Sequence, residues 1–163
     1  MSTNNMHNTH ISAQIRQVHG AVSDIVAVMN SPQRDESMVK EAGIPLDRAL
    51  FPLLVGIERN GPIGVTDLAD MVGRDHTTVS RQVAKLDELG LVERQASAKD
   101  GRVRHAVVTP KGKEMTDLVD IARDKMGRAI LETWDPVEIS ELVRLIRKLA
   151  DGVKGLNSGT ARR

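Results

Sequence analysis

Residues 74–112 read RDHTTVSRQVAKLDELGLVERQASAKDGRVRHAVVTPKG, and this stretch decides the fold. Val79, Val83, Leu86 and Leu89 recur at helical spacing, with Asp75 placed to cap the start and Gly90 to stop the end. LVERQAS (91–97) and VRHAVVT (103–109) are strand-like runs joined through AKDGR, and Asp-Gly between such runs predicts a β-hairpin. Pro110 closes the second run. Just upstream, GVTDLADMVG (64–73) predicts a short helix, with Gly64 at its N-cap, Asp67 three residues on and Gly73 at its end. Two short helices across a glycine turn make a helix-turn-helix, and the hairpin that follows makes it a winged helix.

The chemistry of this stretch points to nucleic acid. With Val79, Val83 and Leu86 inward, a helical wheel turns His76, Thr77, Ser80, Arg81 and Lys85 outward and puts Thr78 near the boundary. Short hydroxyls allow close approach to a groove, and arginine forks onto guanine or phosphate. A solvated helix face uses some of the same residue types, so the neighbouring hairpin matters. Lys99, Arg102 and Arg104 surround its turn, as a basic finger entering a minor groove would require. Between Gly73 and Lys113 there are nine cations against five anions, an excess of four in a chain whose net charge is only +1. Basic charge is therefore concentrated where the winged helix is predicted.

Long helices are predicted on either side. Ile11, Ile15, Val18, Val22, Ile25 and Met29 are spaced alternately four and three apart, a coiled-coil-like seam from His10 to Asn30. NSPQRDES ends that helix, and a loop or short helix around Ser37–Ala42 follows. GIPLDRALFPLLVGIERNG (43–61) predicts a helix with Asp47 as N-cap and Pro52 just past the first turn. Met115, Leu118, Val119, Ala122, Met126, Ala129 and Ile130 mark an amphipathic helix over residues 113–134. DPVEIS then opens a final helix with a strong start signal, and Ile139, Leu142, Ile146, Leu149 and Val153 form a second seam. The expected class is mostly α, in the order α-α-α-α-β-β-α-α. Residues 9–60 and 110–155 would form a helical dimerisation region, 61–109 the winged helix-turn-helix, and 1–8 and 156–163 flexible tails. Seams at both ends call for a partner, so Ile11, Ile15, Val18, Val22, Ile139, Leu142, Ile146 and Leu149 are the candidate homodimer contacts.

The segment resembles the MarR (multiple-antibiotic-resistance) family of transcriptional regulators, from about Ile11 to Gly155 and most strongly from Val65 to Gly112. VTDLADMVGRDHTTVSRQVAKLDELGLVER is similar to the family's helix-turn-helix and first wing strand. Arg94, Asp100, Arg102 and Thr109-Pro110-Lys111-Gly112 match its wing pattern. The resemblance implies a dimeric, sequence-specific regulator on a pseudo-palindromic double-stranded DNA operator, most commonly a repressor released by a small aromatic or phenolic effector. It also implies that Asp100 braces the wing while Arg102 approaches the minor groove. Family analogy places the effector between the first, second and fifth helices, where Arg16 and His19 could meet a carboxylate.

The remaining composition narrows the alternatives. There is no cysteine, which excludes a disulfide framework, a thiolate zinc site and a thiol switch. One Phe, one Trp and no Tyr leave the core aliphatic; Trp134, between the last two helices, is expected to pack. His7 and His10 are three apart but lack a companion ligand, so no metal is expected, and no cofactor. No phosphate loop, dinucleotide fingerprint, zinc-protease motif or nucleophile elbow occurs, so an enzyme is not expected. No run is long enough for a membrane span and no leader pattern opens the chain, so the expected location is the cytoplasm, at the nucleoid.

Overall fold

The computed structural model describes residues 3–97, 101 and 104–160, with side chains over 10–97, 101 and 104–156. In chain order its elements are α1 (Thr3–Met29), α2 (Pro32–Ala42), α3 (Phe51–Asn60), β1 (Ile63–Gly64), α4 (Val65–Val72), α5 (His76–Glu88), β2 (Val92–Ala96), β3 (Arg104–Val108), α6 (Pro110–Leu131) and α7 (Pro136–Thr160). The protein is mostly helical with a small antiparallel sheet in the order β1-β3-β2. It divides into two compact units, one ending at Ala122 and one beginning at Arg123.

In the first unit α3 is central, touching α2, α4, α5 and β3. Leu53 and Ile57 of α3 are fully buried, as are Met38 of α2, Leu68 of α4 and Val79, Val83 and Leu86 of α5. Leu91, Val92 and Ala106 close the core from the sheet, and Val119 and Ala122 from α6. Each such Val, Leu, Ile or Met side chain contributes about 1.5–3 kcal/mol relative to exposure. Apolar spacing alone predicted this inward face of α5.

Two glycines end the helices of the helix-turn-helix. Gly73 and Gly90 sit at φ 65° and 70°, where a Cβ is disfavoured. Each donates its N–H back into the last turn, as does the residue after it: Arg74 to Ala69 O (3.0 Å) and Leu91 to Leu86 O (3.0 Å). Leu89, expected inside, is 38% exposed. The chain reverses at Gly90, and Leu91 takes the buried place instead.

Other boundaries also differ from the sequence reading. α3 begins at Phe51, not after Asp47: the Asp47 carboxylate accepts from the Ala49 N–H (2.7 Å) in a turn that precedes the helix. Pro52 explains this. A helix from Arg48 would need an N–H at position 52, whereas at the first turn its absence costs nothing. α2 is longer than expected because Ser31 accepts from the Arg34 N–H (3.2 Å) and Pro32 opens the helix, so the stop signal of α1 is also a start signal. β1 was not anticipated; its two residues, paired as Ile63↔Ala106 and Gly64↔His105, are too few to show alternation. The helical backbone also runs through Thr3–Asn8 and Leu156–Thr160, read from sequence as polar tails. Those residues include no proline to interrupt a helix already begun.

The helix read from Lys113 starts at Pro110. Thr109 caps it, its hydroxyl oxygen accepting from the Gly112 N–H (3.1 Å) while its O–H donates to Gly90 O (2.7 Å). Lys111 Nζ donates to Leu89 O (2.8 Å), so one four-residue turn holds the end of α5, the sheet and the start of α6 together.

Every described side chain of α1 from His10 onward is exposed. In the second unit α7 buries no described side chain, Ile139 and Ala150 being half-buried, and Trp134 is 40% exposed, so the packing expected of it is only partial. Among the described residues no helix is long and apolar enough to cross a membrane.

Candidate nucleic-acid interface

The outward face of α5 is set by its inward face. Because Val79, Val83 and Leu86 are wholly buried, His76, Thr77, Ser80, Arg81 and Lys85 emerge exposed on the other side. Thr78, expected at the boundary, is exposed with them. His76 Nε2 lies 3.1 Å from Asp70 Oδ1, and Lys85 Nζ 3.0 Å from Glu88 Oε2. Both are exposed pairs, and a phosphate could replace either carboxylate cheaply. Arg81 makes no ion pair among the described residues, which leaves its guanidinium available at the centre of the face.

Asp75 caps α5 as expected, accepting from the Thr78 N–H at 2.8 Å. The Thr78 side chain, then the backbone amides of Thr78 and Thr77, hold its carboxyl below the usual carboxylate range. Asp75 thus occupies the Thr78 N–H at the start of α5 and places a negative charge there, which leaves the exposed side chains to meet a phosphate.

Beside α5 the hairpin pairs β2 with β3 from Val92↔Val108 to Ala96↔Arg104. Arg104 is exposed at the start of β3 and makes no ion pair among the described residues. Lys99 and Arg102, the other hairpin cations predicted to face DNA, and Asp100, predicted to brace the wing, lie outside the described residues. Arg94, at the base of the hairpin, has Nε 3.6 Å from Asp87 Oδ2 and so ties β2 to α5.

Several cations of the basic stretch are engaged within the protein. Lys111 caps the end of α5, and Lys113 pairs with Asp117 and lies 3.7 Å from Glu58 Oε1. Arg74 turns inward to Ala49 and Gln82. Charge counting could not separate these engaged cations from Arg81 and Arg104; the Thr-Pro-Lys-Gly motif could have flagged Lys111. Away from the winged helix, Arg16 and His19 are exposed on α1, three residues apart on one face. Ile11, Ile15, Val18 and Val22 are 40–62% exposed, and Leu142, Ile146 and Leu149 are 39–49% exposed, with Ile139 half-buried.

Comparison with known proteins agrees with this geometry. The MarR family model matches residues 45–103. The uncharacterized HTH-type transcriptional regulator YxaD of Bacillus subtilis strain 168 is 29% identical over 104 residues, 64% of this chain and 73% of its own. Among solved structures, a MarR family protein from Bacillus stearothermophilus superposes with a TM-score of 0.72 at 21% identity, over 88% of this chain and 97% of its own. A MarR transcriptional regulator from Methanosarcina mazei Go1 gives 0.66 at 20% identity, over 86% and 99%. The helix-turn-helix and most of the wing thus lie inside the residues that match the MarR family model, and the fold around them is similar to that of solved MarR family proteins.

Proposed function

We propose that the protein is a homodimeric, sequence-specific regulator of transcription that binds double-stranded DNA through α5 and the β2–β3 hairpin, acting as a repressor. The observation that carries this reading is the polar face of α5, with six exposed side chains (His76, Thr77, Thr78, Ser80, Arg81 and Lys85) opposite three fully buried ones. Residues 61–109 would be the DNA-binding domain, with α5 in the major groove, Lys99, Arg102 and Arg104 at the minor groove and Asp100 bracing the wing. Residues 9–60 and 110–155 would supply the dimer contacts, through the α1 and α7 seams. A twofold pair places two recognition helices roughly 34–36 Å apart, matching successive major grooves. An aromatic or phenolic acid meeting Arg16 and His19 would favour dimers whose α5 spacing no longer fits DNA, and so release the operator.

Selection of bound sequences from a random duplex pool tests the reading. The expected result is an inverted repeat with half-site centres about 10–10.5 base pairs apart. Recovery of unrelated sequences at low salt would contradict sequence-specific recognition.

A further inference from the structure

Arg74 opens the basic stretch, yet it is half-buried and its guanidinium points into the protein. Its Nη1 donates to Ala49 O at 2.6 Å and to Gln82 Oε1 at 3.1 Å. Ala49 lies in the turn before α3; Gln82 lies in the middle of α5, next to Arg81 and one turn beyond Thr78. Arg74 itself sits in the turn between α4 and α5. One side chain therefore ties the turn that leads into the central helix, the elbow and the recognition helix. It also lines a cavity of about 640 Å³ with Asp35, Pro52 and Met71. Asp35 adds attraction from across the cavity: burial pushes its carboxyl up, and Arg34 and Arg74 oppose that rise.

We infer that Arg74 is a positioning residue, whose Nη1 sets the rotation of the DNA-facing side of α5 relative to α3 without touching nucleic acid. This rests on the proposed DNA-binding role. Arg94 and Lys111 tie α5 to the sheet and to the start of α6, whereas towards α3 it presents its aliphatic face, which resists separation better than rotation about the helix axis. A directional, charge-assisted tie at Gln82 supplies the missing constraint. Lysine cannot replace it: its ammonium ends one bond short of the position of Nη1, and its hydrogens rotate freely instead of lying fixed in the guanidinium plane.

The test compares Arg74→Met, Arg74→Lys and Gln82→Leu with the parent chain, on pool-selected duplex across a salt series and by hydrogen exchange of the free proteins. All three should bind at least about fivefold more weakly, from the loss of a charged hydrogen bond. The salt slope should stay at the parent's value, and amides of α5 should exchange faster than those of α3. A phosphate-contacting Arg74 gives the opposite pattern: Arg74→Lys binds like the parent and Arg74→Met lowers the slope by about 0.9. Reduced Tm with unchanged affinity and unchanged α5 exchange reduces Arg74 to a fold-stabilising role and overturns the inference. If Arg74→Met does not fold, Gln82→Leu decides alone. Should the parent ignore every duplex, the functional reading fails, and α5 exchange still decides whether Arg74 holds the helix.

Discussion

Asp75 caps α5 with a carboxylate held below its ordinary range by the Thr78 hydroxyl and the amides around it. Such a depressed group stabilises the fold above its unfolded value near 3.8, and that contribution is lost as pH falls through the lower, folded value. Asp75→Asn retains a cap but not the charge. Its Tm deficit relative to the parent should be constant at neutral pH and close below about pH 4, as followed by thermal melts across pH. Two glycines of α6 predict opposite signs. A Cβ at Gly112 would lie 2.1 Å from Leu91 O, where the Thr109–Gly112 turn presses against the sheet. At Gly127 a Cβ meets nothing within 4 Å. In urea denaturation Gly112→Ala should lose about 1–3 kcal/mol or more, whereas Gly127→Ala should gain about 0.5–1 kcal/mol from helix propensity.

At the scale of elements, α4, α5 and the hairpin were legible because each carries its own punctuation: Asp75 at a start, Gly73 and Gly90 at stops, and Asp-Gly in the turn. The outward face of α5 followed from the spacing of three valine and leucine positions. What could not be read depends on tertiary contact. β1 exists only because β3 lies alongside it. The start of α3 moves four residues beyond Asp47 because of Pro52. Arg74 and Arg81 are the same residue type in the same basic run, yet one faces Gln82 and the other solvent. No local pattern distinguishes them, because the difference is made by the turn at Ala49. The packing behind α5 yields its own prediction. Leu86→Ala, at a fully buried site, should cost about 2–5 kcal/mol of stability in chemical denaturation. At temperatures where the variant stays folded, duplex binding should weaken with the salt slope unchanged, because no phosphate contact is removed.

For the whole molecule, the decisive feature is where burial stops. Among the described residues every buried hydrophobic side chain lies between Met38 and Ala122, while the apolar seams of α1 and α7 remain open to solvent. An apolar stripe of 3-4 spacing on a long helix is stable when a partner helix covers it, and a second copy of the chain brings the matching stripe. Ile146→Glu on α7 should therefore shift the protein towards monomer in analytical ultracentrifugation, with α4, α5 and the sheet still folded by hydrogen exchange. Because two half-sites bound together gain from effective concentration, such a monomer should bind the selected operator at least about 100-fold more weakly. The central claim is that two copies of α5, joined by twofold pairing, occupy one operator. Sedimentation of the chain with pool-selected duplex at low ionic strength measures this directly: two chains per duplex is the predicted stoichiometry, and a monomeric chain that leaves the duplex free would contradict it.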